Sequence, residues 1–368
     1  MSFQTRLLPD HKIHRKNLLD RLWLLRHTIF FWRRKFPTVY YWLVSLYQPT
    51  KCFFFLRKYP KLVTGGPKLV LVRGEPAPDK LSSYITSYDV YCTLRKYFNV
   101  DLLFYTHFRE KHVERIVRMK PALVSLDDAS GRFQELFERH HVPVMGSESV
   151  TCKQGYDKLT AKKIAAEHGI LSAPWHVVNK GESLEVMLTK LKFPLVIKPR
   201  RGAASLGVSK VDSRVGLDRA LRKAFRYDQQ ILVEEYISGR EYTCTVYGNE
   251  EPKTLPVYRR IMSFELQEMA MRGERVANTQ YPVASNEPFL KQIALLSIHA
   301  YIVFHCRDMI RVDWKYDVEN DRLFFLEINI VPWLSNPGFI GEGAGLIGSS
   351  YEEFIEDLFR KALNRSTA

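Results

Sequence analysis

Two short stretches near the carboxyl end carry the side chains best suited to chemistry. They are Arg311-Val312-Asp313-Trp314-Lys315 and Leu323-Phe324-Phe325-Leu326-Glu327-Ile328-Asn329. Each reads as a strand, and the polar run Asp317-Val318-Glu319-Asn320-Asp321 reads as the turn between them. Residues two apart on a strand share a face, so Glu327 and Asn329 project together. Paired in register, the hairpin lays Asp313 across from them. Two carboxylates and an amide oxygen converging on one point suit Mg²⁺, which takes one or two carboxylates together with substrate phosphates. Arg311, on the same face as Asp313, is placed to hold an anion beside the metal. A surface hairpin with ordinary salt bridges would use the same residue types, and Glu-x-Asn alone is common. The apolar run Leu323 to Leu326 argues for a buried strand, and carboxylates are seldom buried unless paired or coordinating.

A second set of groups suits phosphate. Phe193-Pro194-Leu195-Val196-Ile197-Lys198-Pro199 is a buried strand ending in a lysine. Arg200-Arg201-Gly202-Ala203-Ala204-Ser205-Leu206-Gly207-Val208 follows it. Small residues let backbone N–H groups close on an anion, Ser205 adds a hydroxyl, and two arginines favour phosphate further. A flexible glycine hairpin is the plainer alternative; Lys198 favours the phosphate-covering loop. Ile231-Leu232-Val233-Glu234-Glu235-Tyr236-Ile237 is another apolar strand. Its end can present backbone groups and a carboxylate to a purine edge, with Tyr236 offering an apolar face. Alone it would pass for an ordinary exposed strand end. Asp157-Lys158-Leu159-Thr160 opens a helix that runs to about His168, with Gly169 as its stop signal. Taken alone, Lys158 reads as a solvated helix lysine. Arg259 to Ala277 is polar, Met-rich and aperiodic, the character of a lid or a disordered loop.

The elements ahead of these groups alternate. Strands at Lys68 to Val72, Asp101 to Tyr105 and Ala122 to Leu126 are interleaved with helices at Tyr84 to Tyr97, Glu110 to Met119 and Gly131 to His140. Val142 to Gly146 closes this unit. Such alternation predicts an open parallel sheet. The loop Arg73-Gly74-Glu75-Pro76 lies beyond the carboxyl end of the first strand, where such sheets bind ligands, but it is too poor in glycine for a phosphate fingerprint. Phe289 to Phe304 is a helix leading into the metal hairpin, and Tyr351 to Leu363 is the last helix. The chain divides into an extension over 1–64, a substrate domain over 65–150, and two further subdomains over 151–230 and 231–368.

The chain has 368 residues and a net charge of +15. Residues 1–64 hold 13 of the 55 lysines and arginines but only two of the 40 acidic residues, so this extension carries +11 and the rest +4. Nucleic-acid binding by the whole protein is therefore not indicated. The extension is rich in aromatics, with Leu18, Leu22, Leu25 and Ile29 at helical spacing among arginines. Three readings stay open for it, in this order: helices docked on the protein body or a second subunit, a segment lying on an anionic membrane surface, and, least favoured, a nucleic-acid contact confined to the extension. Its longest charge-free run, Phe36 to Thr50, is 15 residues, short of the roughly 20 needed to span a bilayer. Five scattered cysteines without C-x-x-C point to a reducing compartment. With no secretory leader evident, a cytoplasmic protein is expected, peripheral to the membrane if the extension lies on lipid.

Taken together these stretches resemble the ATP-grasp superfamily and, within it, the D-alanine–D-alanine ligases. The resemblance runs over about residues 68–363. It is carried by Asp157-Lys158 with Thr160, Phe193 to Pro199, Ser205 to Val211, Val233 to Glu241, Arg311-Val312-Asp313 and Glu327-Ile328-Asn329. It implies a mixed α/β and α+β chain, with two α+β subdomains clasping ATP behind a Rossmann-like parallel-sheet domain and the basic helical N-terminal extension. It implies that Lys158 and Lys198 contact nucleotide phosphates. Glu234 accepts from the adenine amino group, Glu235 and Ile237 use backbone atoms, Tyr236 and Leu326 complete the nucleotide pocket, and Glu241 binds the ribose. Asp313, Glu327 and Asn329 hold two Mg²⁺, for which Mn²⁺ can substitute. Arg311 stabilises the reacting centre, with Ser205 beside it. A homodimer is also compatible with the resemblance.

The implied reaction joins a carboxylate to an amine through an acyl phosphate at the expense of ATP. Positioning and charge neutralisation carry such chemistry. The departures lie on the substrate side. Ala204 stands where the family carries the first serine of a pair, Trp333 where it has glycine, and Gly338 where it has serine. No Ser-x-Glu motif appears between Arg73 and Ser83. The substrate is thus expected to be an amino acid or small acid other than D-alanine. D-alanine–D-alanine ligase proper, or an ATP-binding scaffold without turnover, are the alternatives. In the lid, Arg272 or Arg275 stands in for a phosphate-contacting lysine.

Overall fold

The structure, a computed structural model, describes residues 63, 65–74, 81–105, 108–202, 205–261, 279–282, 288–334, 336 and 338–367. The expected extension (apart from Val63), Glu75-Pro76, Ala203-Ala204 and the lid beyond Ile261 with Arg272 and Arg275 lie outside the described residues.

The first layer alternates β1 (Lys68–Gly74), α1 (Leu81–Leu94), β2 (Asn99–Tyr105), α2 (Glu110–Arg118), β3 (Leu123–Leu126) and α3 (Arg132–Arg139). The strands pair in parallel in the order β2-β1-β3. Alternate residues of β1 enter separate cores, Leu69 and Leu71 in one, Val70 and Val72 in the other. A parallel sheet covered on both faces requires such apolar strands.

The second layer comprises α4 (Ser149–Tyr156), α5 (Lys158–Glu167), β4 (Trp175–Asn179), α6 (Glu185–Lys190), β5 (Leu195–Pro199), β6 (Ser209–Val211), α7 (Leu217–Ala224) and β7 (Gln230–Glu235). Its antiparallel sheet has the order β4-β7-β5-β6. Leu195, Ile197, Ile231 and Val233 pack with Met187, Leu217 and Leu221. The alternate residues, including Val196, Lys198 and Glu234, therefore point to the other face. β7 follows the expected boundary at 230/231, yet it pairs with β4 and β5, so by sheet membership it goes with the earlier segment.

The third layer comprises β8 (Arg240–Tyr247), β9 (Lys253–Thr254), β10 (Tyr258–Ile261), β11 (Thr279–Pro282), α8 (Pro288–Val303), β12 (Met309–Asp317), β13 (Arg322–Asn329), α9 (Phe339–Leu346) and α10 (Tyr351–Thr367). Its sheet runs β11-β10-β8-β12-β13, with β9 attached to β8. Arg259 to Ile261, at the start of the stretch read as a lid, belong to β10 instead, where they pair with β11. The sheet is two-faced. Tyr242, Cys244, Val246, Ile310, Val312 and Trp314 enter the core beneath α8. The Trp314 indole donates to Ser297 Oγ at 2.8 Å, and Ser297 Oγ donates to Ile293 O at 2.7 Å, so the ring's polar tip is satisfied in the core. The alternate residues Glu241, Thr243, Thr245, Arg311, Asp313 and Lys315 form a polar face.

Long-range ties fix the layers. Phe325 N donates to Leu171 O at 2.7 Å, joining β13 to the segment before β4. Asp308, 1% exposed, accepts from Gly146 N at 2.7 Å, Asn249 Nδ2 at 2.8 Å and Arg365 Nη2 at 2.9 Å. α10 returns to the first layer, burying Phe354, Ile355, Leu358 and Phe359 with Leu69 and Leu71. Among the described residues no helix is long and apolar enough to cross a membrane.

Candidate active site

The polar face of the large sheet and the Lys198-bearing face of the small sheet enclose an open cleft of about 1000 Å³. Lys158, Ser205, Glu235, Tyr236, Ile237 and Leu326 are among the residues lining it. Lys198, Glu234, Glu241, Asp313 and Glu327 also face it. Arg311 and Asn329 sit one step back, each touching Asp313.

At the hairpin, Asp313 pairs with Glu327 and Arg311 with Asn329. A ladder counted regularly from the turn would instead set Leu326 opposite Asp313 and turn Glu327 to the core face. A bulge between Asp313 and Trp314 in the pairing absorbs one residue. It allows the neighbours Leu326 and Glu327 both to face the cleft, which a regular strand forbids. Asp313 is 1% exposed. It is held by Arg311 Nε at 2.9 Å, Thr243 Oγ1 at 2.5 Å, Arg260 Nη1 at 3.3 Å and Asn329 Nδ2 at 3.3 Å. Burial alone would raise its pKa, but the charges of Arg311 and Arg260 and the hydrogen bonds from Arg311 and Thr243 outweigh it, and the net shift is downward. Glu327 has no ion pair or hydrogen bond among the described residues, and its carboxylate lines the cleft. A carboxylate with no direct side-chain partner beside Asp313, together with the Asn329 amide oxygen, is a hard oxygen set that fits Mg²⁺.

The phosphate side is built on Asp157. It caps α5 by accepting from Leu159 N at 3.1 Å and Thr160 N at 3.2 Å, and it takes both Arg200 Nε contacts at 2.8 Å. Arg200 is thus spent on the cap, and of the two arginines expected at phosphate only Arg201 lines the cleft. Lys158, the first residue of the capped helix, reaches across to Gly202 O at 2.6 Å. Burial lowers its pKa, partly offset by Glu327. Ser205 adopts φ +57° beside Gly207 at φ +77°, where a Cβ would meet Tyr227 at 2.7 Å and Pro199 at 2.8 Å.

Replacing the cap tests this frame. Asp157→Asn should lower stability at neutral pH by about 2 kcal/mol, the scale of a lost cap plus a charged hydrogen bond. Burial pushes the Asp157 carboxyl up, but Arg200, Thr160 N–H and Arg201 together pull it below the ordinary value. Its contribution is therefore complete above the unfolded carboxylate pKa and is lost as pH falls through the lower folded value. Urea midpoints of wild type and variant should converge as the pH drops below about 4.

At the opposite end, Glu234 is 3% exposed and lies between Lys198 Nζ at 2.7 Å and Lys162 Nζ at 3.1 Å. Burial raises its pKa, but Lys162 and Lys198 outweigh that and keep it lowered. Glu235 turns its carboxylate to Lys192 N at 2.9 Å, and its own N–H donates to Pro174 O at 3.0 Å. The expected apolar face of Tyr236 is shared with cations: Lys210 and Lys315 Nζ lie 4.7 and 5.2 Å from the ring centroid. Lys315 also holds Glu241 at 3.2 Å. Gly239 makes this turn possible, because a Cβ there, at φ +130°, would sit 2.0 Å from Tyr316 O.

Four groups escaped the sequence reading: Lys162, Thr243, Arg260 and Lys315. Thr243 and Lys315 were legible in the alternation of β8 and β12. Lys162 had only its spacing from Lys158 to mark it, and Arg260 stood in the stretch read as lid.

The sequence profile described as D-ala D-ala ligase C-terminus matches residues 164–360, more than half of the chain. The chain belongs to the D-alanine–D-alanine ligase family. The D-alanine–D-alanine ligase of Acetivibrio thermocellus is 30% identical over 253 residues, 67% of this chain and 67% of the relative. That of Caldicellulosiruptor bescii is 28% identical over 258 residues, covering 67% and 70%. The D-alanine–D-alanine ligase of Bacillus anthracis, solved in complex with ATP, superposes with a TM-score of 0.68 at 21% identity, over 82% of this chain and 99% of that one. VanG D-Ala:D-Ser ligase of Enterococcus faecalis gives 0.66 at 21% identity, over 81% and 100%. This member of the D-alanine–D-alanine ligase family shares their fold, a parallel N-terminal sheet followed by two antiparallel sheets. It is an ATP-dependent carboxylate–amine ligase of the ATP-grasp superfamily.

Proposed function

We propose that this ligase phosphorylates the carboxylate of an amino acid or small acid other than D-alanine and transfers the acyl group to an amine. The observation that carries the reading is the pairing of Asp313 with Glu327 in the cleft that also holds Lys158 and Lys198. The Bacillus anthracis relative, of the same fold, carries ATP. Here Lys158 and Lys198 would hold the phosphates, Glu241 the ribose, and Glu234, Glu235, Tyr236, Ile237 and Leu326 the base. Arg311 would steady the transferred phosphoryl group, with Ser205 closing over it. Two Mg²⁺ held by Asp313, Glu327 and Asn329 would neutralise the charge on the phosphate oxygens. The substrate carboxylate attacks the γ-phosphorus, giving an acyl phosphate and ADP, and the amine then displaces phosphate.

The substrate half supports a different pair from two D-alanines. Trp333, 56% exposed, stands on the loop four residues after Asn329, where the family resemblance expects glycine. Arg73, at the end of β1, is buried and donates to Ser125 O at 2.7 Å and Ser125 Oγ at 3.1 Å, so it belongs to the frame of residues 65–150 and not to an open anion pocket. ADP release should be screened across amino acids and small acids, singly and in pairs. Turnover with a pair lacking D-alanine supports the proposal. Dependence on two D-alanines, or MgATP binding with no turnover on any pair, overturns it.

A further inference from the structure

Lys162 has no part in the roles above. It lies one helical turn after Lys158 on α5, so the two side chains leave the helix on one face. Lys158 reaches the cleft; Lys162 is 1% exposed and stops beneath it, against Glu234. Its Nζ lies 3.1 Å from Glu234 Oε1, and Lys198 Nζ lies 2.7 Å from the same oxygen. Neither contact has hydrogen-bond alignment, so charge and proximity hold the group. Both ammoniums converge on Oε1, which leaves Oε2 for a ligand.

The two lysines are not equivalent. Lys198 lines the cleft and can turn to a bound phosphate, whereas Lys162 cannot reach any ligand. Once Lys198 turns away, Lys162 is the cation that remains beside a buried carboxylate. Without it Glu234 would take up a proton, because an isolated buried charge is far costlier than a neutral acid. A protonated Glu234 is a poorer acceptor and can donate instead.

We propose that Lys162 is a positioning residue that keeps Glu234 ionised and aimed, and so sets the choice of a 6-amino purine over a 6-oxo purine. The inference rests on the reading of Glu234 as the partner of the adenine amino group. The test compares dissociation constants of MgATP and MgITP for the full-length protein by calorimetry. Wild type should prefer ATP. Lys162→Met should weaken ATP about tenfold or more, the cost of a mismatched buried polar contact, with ITP changed far less, so that the preference collapses. Lys162→Arg, which keeps the charge, should retain the preference. If Lys162→Met does not fold, Glu234→Gln and the double variant Lys162→Met/Glu234→Gln carry the test, since the double variant removes both charges together. Equal ATP:ITP ratios in those two support the proposal, and a further change on adding Lys162→Met overturns it. Wild-type preference that survives Lys162→Met overturns the proposal alone. Equal wild-type affinity for the two nucleotides overturns the Glu234 assignment and the proposal with it.

Discussion

Glu327→Gln is expected to lower kcat by about 10²–10³-fold, the scale on which a single preorganised electrostatic contact to a developing charge is felt, while leaving the urea midpoint unchanged. Both halves of this expectation come from the same observation. The Glu327 side chain lines the cleft with no ion pair or hydrogen bond among the described residues and acts on Lys158 and Arg311 only at longer range, so the fold draws little from its charge. Glutamine keeps its size and its place next to the bulge. What is lost is a negative ligand for the metal that serves the phosphoryl group. Titration of Mg²⁺ in the presence of ADP should show weakened metal dependence in the variant. A midpoint that falls with kcat would mean that Glu327 is a structural group, and unchanged turnover would remove the hairpin from the chemistry.

Much of this site was legible because β8 and β12 alternate strictly, and β13 does so again beyond its bulge. Asp313 and Arg311 had to share a face, and so did Glu327 and Asn329. Whether those two faces coincide depends on register, and a regular ladder from the Asp317–Arg322 end gives the wrong answer. The bulge that corrects it has no glycine and no proline to announce it, since the absorbed residue is Leu326. The capped helix beginning at Lys158 was equally plain, because Asp157 is a strong N-cap type. Lys162 was not, because a lone helix lysine is ordinarily solvated. Only the placement of β7 between β4 and β5 brings Glu234 to it. The same non-sequential strand order moves β7 away from the segment that follows it in the chain. Arg200 and Arg201 are adjacent and alike, but Asp157, 43 residues before Arg200, takes the hydrogen bonds of Arg200 at 2.8 Å and meets Arg201 only at 3.6 Å.

Asp313→Ala separates the two arginines from their carboxylate and should fail in a different way from Glu327→Gln. The carboxylate is buried and neutralises Arg311, with Arg260 close by. Removing one partner of a buried pair leaves uncompensated charge, a cost of about 3–5 kcal/mol. The same substitution removes a proposed metal ligand, so turnover should vanish as well. Asp313→Asn should separate these effects. It keeps an oxygen for Thr243 Oγ1 and one guanidinium, so it recovers part of the stability and none of the turnover. The double variant Asp313→Ala/Arg311→Met goes further, because it withdraws the stranded cation along with its partner. It should be more stable than Asp313→Ala alone, a coupling that a urea-denaturation cycle measures directly. Magnesium with ADP should raise the wild-type melting temperature by mass action and leave all three variants where they were. If the single and double variants prove equally unstable, Asp313 supports the sheet through Thr243 and not through the arginines. The contacts of Arg311 and Arg260 with Asp313 would then have to be explained without charge balance.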